Sequence, residues 1–232
     1  MLRGKLIVIE GTDCSGKETQ ANLLEEKLNK LSIKTKKLYF PKYETATGRI
    51  IGSCFLGKEE ICNEYLKSNT GWFDEGASKV DPLVSSLYYA ADRKYNVKEI
   101  NGLLEKGINV ILDRYTYSNM AHQGCKFKNK KEKLNFFKKI EYLEFELLEL
   151  PKPDITLFLY VPYQVSYELK RNRLEKMDQN EIDGEYLKQA EKTYLELVKL
   201  YNFSQIECTT NNKIKTKEEI SKEILEKILK LI

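Results

Sequence analysis

Apolar residues occur along this chain in two recurring patterns. Short continuous apolar runs, such as residues 6–9 and 155–161, are typical of strands that are buried on both faces of a parallel sheet. Longer segments carry apolar residues three or four positions apart, as at residues 83–106, and this spacing predicts amphipathic helices. Because the two patterns alternate, the sequence predicts an α/β fold with a doubly wound parallel sheet.

The predicted elements follow one another along the whole chain. Strands are expected at residues 6–9, 34–40, 108–112, 155–161 and 205–208. Helices are expected at residues 20–30, 49–56, 83–106, 134–150, 163–173, 186–200 and 217–231. Residues 57–82 show no clear pattern, and we expect helix and loop there. The sequence thus predicts three layers, a five-stranded sheet between helices, with ligands at the carboxyl ends of the strands.

A short polar loop separates the first predicted strand from the first predicted helix. It has the pattern Gly-x-x-x-x-Gly-Lys, which ends at Lys17. Such a loop exposes backbone N–H groups, the helix N-terminus adds unpaired donors, and Lys17 adds a cation. We therefore expect it to hold the β- and γ-phosphates of a nucleotide. The residues predicted to bind are Gly11, Thr12, Asp13, Cys14, Ser15, Gly16, Lys17, Glu18 and Thr19. The alternative is a surface turn with these residue types by chance.

The magnesium site of this loop departs from the usual pattern. The position after Lys17 usually carries a hydroxyl that faces Mg²⁺, but here it is Glu18, and Thr19 follows one place later. We expect Mg²⁺ to be held mainly by water, phosphate oxygens and the carboxylate of Asp13, because Mg²⁺ commonly takes few protein ligands.

Length and composition limit the class of protein. At 232 residues, the chain is long enough for a complete core, and we expect a single domain over residues 1–232. The 39 basic and 35 acidic residues nearly balance, so nucleic acid is not an expected partner. Five scattered cysteines indicate a reducing cytoplasm and no structural metal. The longest apolar run is too short to span a membrane.

Three loops should meet at one edge of the sheet, because each follows the carboxyl end of a strand. They are residues 11–17, 40–45 and 113–123. Arg114, with Lys42 or Arg93, would bind a second anion opposite the phosphate loop. Two facing phosphate sites indicate phosphoryl transfer between nucleotides. The alternative is that Arg114 only forms an ion pair with Asp113.

Other candidate residues come from the helices. Tyr89 and Arg93 are four positions apart, on one helical face, where a ring and a guanidinium can recognise a base or simply join the core. His122 is the single histidine. We expect no catalytic base there, because a phosphate acceptor is already anionic near neutral pH.

A polar stretch over residues 171–184 is predicted to form a mobile lid. Lys170, Arg171 and Arg173 lie at its start. An arginine that closes over the triphosphate would stabilise the transferring group and exclude water. The alternative for each cation is a solvated helix end.

Several motifs together resemble the thymidylate kinase family of P-loop NTPases. They are the phosphate loop, Phe40-Pro-Lys-Tyr43, Tyr89-Ala-Ala-Asp-Arg93, Asp113-Arg-Tyr-Thr-Tyr-Ser-Asn119 with Ala121-His-Gln-Gly124, and Leu150-Pro-Lys-Pro-Asp154. The resemblance implies transfer of the γ-phosphoryl group of ATP to thymidine 5′-monophosphate (dTMP), with Mg²⁺ as cofactor, in a homodimer packed through helices such as residues 83–106.

The resemblance also implies roles for individual residues. Asp13 would organise Mg²⁺ and the sugar or phosphate, and Arg114 would bind the acceptor phosphate. Tyr89 would stack on thymine, and the polar edge of thymine would be read by Arg93, Asn119 and Gln123. Phe40 would form a wall of the base pocket, and Tyr43 would lie near the acceptor phosphate. The implied catalytic residues are Asp13, Lys17, Arg114, Arg171 and Arg173, and the implied substrate-binding residues are Phe40, Lys42, Tyr43, Tyr89, Arg93, Arg114, Ser118, Asn119, His122 and Gln123.

Three positions depart from the family pattern. One kind of family member has an arginine in the phosphate loop at the position of Cys14. In the other kind the lid supplies this arginine, and this chain resembles that kind, with Arg171 or Arg173 in the role. His122 stands where the family usually has Tyr or Phe beside the deoxyribose, and Tyr160 replaces a common acidic residue.

Rival functions remain open at this point. A deoxynucleoside kinase would need a carboxylate base near the end of the second strand, for which Glu44 is the candidate. A kinase of another nucleoside monophosphate would share most of the site. A nucleotide-dependent switch is disfavoured, because the sequence has no Asn-Lys-x-Asp motif.

Overall fold

A five-stranded parallel sheet forms the centre of the molecule, as the sequence predicts. The computed structural model describes residues 2–58, 60–61, 71–171 and 183–232. The strands are β1 (Leu6–Gly11), β2 (Thr35–Tyr39), β3 (Asn109–Asp113), β4 (Ile155–Tyr160) and β5 (Ser204–Glu207). They pair in the order β2-β3-β1-β4-β5, and every pair is parallel. β1 is therefore the central strand.

Helices cover both faces of this sheet. They are α1 (Lys17–Lys30), α2 (Ala46–Arg49), α3 (Pro82–Glu105), α4 (Thr116–Gly124), α5 (Lys130–Glu141), α6 (Tyr163–Arg171), α7 (Gly184–Leu200) and α8 (Lys217–Ile228). π-helical segments extend α2 and α5, at Ile50–Phe55 and Tyr142–Leu147. A small antiparallel hairpin follows the sheet, with β6 at Thr209–Thr210 and β7 at Lys213–Ile214.

The predicted boundaries agree best where local sequence signals are strong. α3 begins where Asp81 accepts hydrogen bonds from Leu83 N and Val84 N, and it ends before Gly107, whose φ of 73° suits glycine. The long helix expected at residues 134–150 is instead α5 followed by a π-helical segment. Neither α4 nor the β6–β7 hairpin was among the predicted elements.

The core follows the alternation of side chains along β1. Leu6 and Val8 face α3, whereas Ile7 and Ile9 face α1 and α8, and all four are fully buried. Glu10 lies on the same face as Leu6 and Val8 and is also fully buried. The sheet thus has one helix layer on each side, which gives the predicted three-layer architecture.

The strand ends bring the expected loops together. β1 pairs Ile9 with Asp113 of β3 and Gly11 with Leu159 of β4, so the loops after these strands begin at one edge. Among the described residues, no helix is long and apolar enough to cross a membrane.

Candidate active site

The loop after β1 has the backbone of a phosphate-binding loop. A Cβ at Gly11 would lie 2.5 Å from Ser15 Oγ and 2.6 Å from the Leu159 carbonyl oxygen, so only glycine fits. Gly16, directly before α1, has a φ of 76°. The Thr12 hydroxyl donates to Val161 O at 2.8 Å and accepts from Val161 N at 3.0 Å. These bonds fix the loop to the end of β4.

Lys17 begins α1 and bends back over this loop. Its ammonium donates to Thr12 O at 2.9 Å, and the residue is only 8% exposed. Burial, together with the charge of Arg114, lowers the pKa of Lys17 to about 8. Glu18 instead points into solvent, 3.9 Å from Lys37 Nζ, and Thr19 is exposed.

Asp13 is surrounded by cations. Its carboxylate lies 2.9 Å from Lys170 Nζ and 3.6 Å from Arg114 Nη2. Burial by itself would raise the pKa of Asp13, but Lys170, Arg114 and Lys17 outweigh it and hold the pKa below its ordinary value. Asp13 is therefore a carboxylate at neutral pH. Lys170 was singled out in the sequence only as a possible lid cation, whereas here it pairs with the phosphate loop.

Arg114 directly follows β3 in a left-handed backbone conformation, with φ 67°. Its N–H donates to Ile9 O at 3.0 Å, and its Nη1 donates to Ser118 Oγ at 3.4 Å. The guanidinium therefore faces the phosphate loop from the neighbouring strand.

An open cleft lies between Arg114 and α3. Ten residues that the sequence predicts to bind a nucleotide line this cleft, namely Asp13, Phe40, Tyr43, Tyr89, Arg93, Arg114, Ser118, Asn119, His122 and Gln123. Pro41, Leu56, Tyr115 and Leu187 also line it, and the sequence patterns did not single them out.

Lys42 is the predicted substrate-binding residue that is not among those lining the cleft. Its ammonium instead hydrogen-bonds Glu99, and its backbone N–H donates to Asp92 at 2.8 Å. The buried Asp92 also accepts from Thr47 Oγ1 at 2.7 Å. Asp92 thereby fixes the loop after β2, which carries Phe40 and Pro41 into the cleft.

A buried ion pair holds Arg93 at the bottom of the site. Its Nε and Nη2 donate to the two carboxylate oxygens of Glu144 at 2.5 and 2.6 Å. Glu144, which is fully buried, also accepts from Thr116 Oγ1 at 2.8 Å and from Asn119 Nδ2 at 3.2 Å. Two hydrogen bonds to Glu144 thus fix the orientation of the Arg93 guanidinium, and Nη1 takes part in neither of them.

Polar atoms without partners lie among these cleft residues. Asn119 Oδ1, Gln123 Oε1 and His122 Nδ1 are buried and have no hydrogen-bond partner. Because Glu144 only accepts, it fixes the amide of Asn119 with Nδ2 toward the carboxylate. Buried polar atoms of this kind are costly unless a ligand pairs with them.

His122 is a neutral side chain in this cleft. Burial, followed by the charge of Arg114, lowers its pKa to about 3. Its ring packs 5.8 Å from Tyr186 and 5.9 Å from Tyr194, both on α7. Its carbonyl oxygen accepts from Tyr186 Oη at 3.0 Å.

Aromatic residues supply the apolar walls. Tyr89 packs edge to face on Phe55, with ring centroids 5.8 Å apart. Phe40 is 5% exposed and lies 6.1 Å from the ring of Tyr115. Tyr88, on the same helix, also packs with Phe55, but it is not among the residues that line the cleft.

The side chains of the two predicted lid arginines lie outside the residues that the structure describes. Arg171 is the last residue of α6, and its side chain lies outside the described part of the chain, as does the whole of Arg173.

Comparisons with known proteins agree with this geometry. A family model described as thymidylate kinase matches residues 72–224. The chain is 32% identical to the thymidylate kinase of Prochlorococcus marinus strain NATL2A, over 100% of this chain and 99% of that protein. It is 31% identical to a probable thymidylate kinase of Methanocaldococcus jannaschii, over 97% of this chain and 96% of that protein.

A solved structure leads to the same family. The thymidylate kinase of Candida albicans superposes with a TM-score of 0.70 at 28% identity, covering 98% of this chain and 92% of that one. The chain therefore belongs to the thymidylate kinase family, which phosphorylates thymidine 5′-monophosphate with ATP as the phosphoryl donor.

Proposed function

We propose that the cleft binds dTMP while the loop at residues 11–17 binds the triphosphate of ATP. The observation that carries this proposal is the 3.6 Å contact between Arg114, after β3, and Asp13 of the phosphate loop. Two phosphate-binding elements thereby face each other, which in-line transfer between two nucleotides requires. An oxygen of the acceptor phosphate attacks the γ-phosphorus, and ADP leaves.

On the donor side, backbone N–H groups of the loop and Lys17 hold the phosphates. Asp13 fits a Mg²⁺ ion here, because its carboxylate is ionised and lies in the loop. The described residues contain no group of three or more His, Cys, Asp or Glu side chains that could hold a metal ion. Phosphate oxygens and water would therefore supply the other ligands of Mg²⁺. When bound, Mg²⁺ neutralises charge on the triphosphate.

On the acceptor side, Arg114 binds the phosphate of dTMP, with Ser118 and Tyr43 beside it. The acceptor oxygen is already anionic, so no side chain has to remove a proton. His122, neutral and buried, lies beside the sugar. A nucleoside kinase would need a base, and Glu44 is instead hydrogen-bonded to Tyr39 on the exposed side of β2.

The thymine ring is recognised by the fixed polar groups at the bottom of the cleft. Thymine presents O4 as an acceptor and N3–H as a donor. Arg93 donates to O4, and the unpartnered Oε1 of Gln123 accepts from N3–H, the single donor of the ring edge, with Asn119 beside it. Tyr89 and Phe40 pack against its faces. Cytosine presents the opposite pattern at these positions and is rejected.

The remaining features of the proposal concern the whole chain. Residues 1–232 form one P-loop kinase domain, and a lid at residues 171–184 supplies Arg171 or Arg173 in place of an arginine at Cys14. The proposal includes a reducing, cytoplasmic location, which the five scattered cysteines of the sequence indicate.

A homodimer is proposed from an exposed apolar stripe on α3. Leu83, Leu87, Ala91 and Tyr95 recur every four residues and are all exposed, with Leu87 at 49% and Tyr95 at 63%. They lie opposite the face that carries Arg93. A two-fold contact through this stripe would cover it.

Replacing Arg114 by Ala should lower kcat/KM for dTMP by about a hundredfold or more, since one preorganised charge is worth on the order of 3 kcal/mol. Lys17→Ala should reduce turnover similarly through the donor site. Arg3→Ala, which removes an exposed ion pair with Asp154, is the matched control. Near wild-type turnover of Arg114→Ala at limiting dTMP would show the acceptor assignment to be wrong.

Gln123→Met keeps the side-chain length and removes the unpartnered oxygen. We expect kcat/KM for dTMP to fall about two- to tenfold, the value of one neutral hydrogen bond. The ratio of kcat/KM for dTMP to kcat/KM for dCMP should fall as well, because N3 of cytosine, an acceptor, no longer faces the acceptor oxygen of Gln123. Gln205→Met on β5 is the control. An unchanged ratio would contradict the role of Gln123 in base recognition.

Arg171→Ala and Arg173→Ala test the lid. At least one of them, and the double variant, should lose about a hundredfold in kcat with ATP, since an arginine on the transferring group acts mainly in the transition state. Lys176→Ala, in the same stretch, is the control. Normal rates in both single variants and in the double variant would rule out an arginine from the lid.

Leu87→Glu tests the dimer. Light scattering should give twice the 27.1 kDa chain mass for the unchanged protein and a single chain mass for the variant. Leu200→Glu places the same charge on an exposed leucine of α7 and should remain dimeric. A monomeric unchanged protein at micromolar concentration would contradict the proposal.

A further inference from the structure

Glu10 is a fully buried carboxylate that no motif singled out. Its Oε1 accepts from Tyr115 N at 2.9 Å and from Ser118 N at 3.0 Å. Its Oε2 accepts from Ser118 Oγ at 2.5 Å and from Tyr194 Oη at 3.1 Å. Every one of these groups belongs to α7 or to the start of α4, so a side chain of β1 joins three elements.

These donors lie around Arg114. Tyr115 is the next residue, and Ser118 Oγ also accepts from the guanidinium at 3.4 Å. The backbone N–H of Arg114 itself donates to Ile9, the residue before Glu10. Two consecutive residues of β1 therefore hold the backbone of Arg114, and one of them also reaches its side chain through Ser118.

Glu10 also replaces the missing cap of α4. The residue before this helix, Tyr115, has no side-chain hydrogen bond to the first turn. The first N–H groups of a helix need an acceptor, and a carboxylate at this end is favoured by the helix dipole. Glu10, on β1, supplies that acceptor to the N–H of Ser118 in the first turn of α4.

The conformation of Arg114 explains why such support is needed. A φ of 67° is sparsely populated for any residue except glycine, and it persists only where the surroundings determine it. Ile9 accepts from the N–H of Arg114 itself, and Glu10 accepts from the N–H of the next residue, Tyr115, so the backbone is held on both sides of Arg114.

We propose that Glu10 is a positioning residue for phosphoryl transfer, which sets Arg114 relative to the phosphate loop. The loop begins at Gly11, the next residue of the same strand. The position of Glu10 therefore fixes the acceptor arginine and the donor loop to one short piece of backbone. This inference rests on the proposed role of Arg114 in binding the acceptor phosphate.

Glu10→Gln tests the proposal, because the amide oxygen can still accept from Tyr115 N and Ser118 N. The variant replaces the acceptor Oε2 by an amide N–H donor, which faces the hydroxyl groups of Ser118 and Tyr194. We expect kcat/KM for dTMP to fall about tenfold or more, as small displacements of a catalytic group do. The KM for ATP should stay within about twofold, because Lys17 and the loop keep their own contacts. Equal changes for both substrates, or no change, would overturn the proposal.

Combination with Arg114→Ala separates positioning from a general loss of structure. If Glu10 acts through Arg114, then Glu10→Gln should cause no further loss in the Arg114→Ala background. The same fold-loss in both backgrounds would overturn the proposal. Full activity of Arg114→Ala alone would instead refute the proposed acceptor site, so the two failures are distinguishable.

A second pair of variants does not depend on the folding of Glu10→Gln. Tyr194 and Tyr160 both stack on Phe158, with centroids 5.2 and 6.0 Å away, and each donates to a glutamate, Glu10 or Glu191. Tyr194→Phe should lower kcat/KM for dTMP several-fold, and Tyr160→Phe should leave it unchanged. Equal effects of the two exchanges would contradict a specific role for the Glu10 cluster.

Discussion

The hydrogen bonds between Glu10 and the start of α4 are the contact on which this active site depends. β1 is the central strand and is buried on both faces, so its position is fixed by the whole sheet. The phosphate loop begins at its end, and the backbone of Arg114 is bound to its last residues. A rigid strand therefore positions both proposed binding sites, which belong to distant parts of the sequence. Side chains on such elements are placed more accurately than side chains on loops.

The patterns in the sequence were sufficient for the sheet, the phosphate loop and α3, because each is determined by local spacing, glycine or a cap. They were insufficient for α4, whose first turn is capped by Glu10, more than a hundred residues earlier. Glu144 could not be distinguished from the exposed Glu146 nearby, since only the tertiary fold buries one of them against Arg93. Lys42 has a plausible charge for a phosphate site, but Glu99 on the neighbouring helix binds it.

The bottom of the cleft shows how specificity is built into a buried polar network. Burying Arg93 and Glu144 has a large desolvation cost, and such a pair contributes little net stability. It does hold the guanidinium and the Asn119 amide in single orientations. In the proposed complex these groups are oriented before the base arrives, so less conformational entropy is lost on binding, and a base with a mismatched edge leaves a buried group unpaired.

α3 has two faces with different tasks. Tyr89 and Arg93 face the cleft, and Leu83, Leu87, Ala91 and Tyr95 face outward. If the outward stripe is covered by a second copy, the same rigid helix carries both the subunit contact and the base-binding residues. Where closing the subunit contact also orders the base-binding face of this helix, assembly and substrate affinity are linked, and dTMP then tightens the dimer to the same extent that dimerisation tightens dTMP binding. With that linkage, dilution would weaken substrate binding without any substitution among the residues that contact the nucleotide.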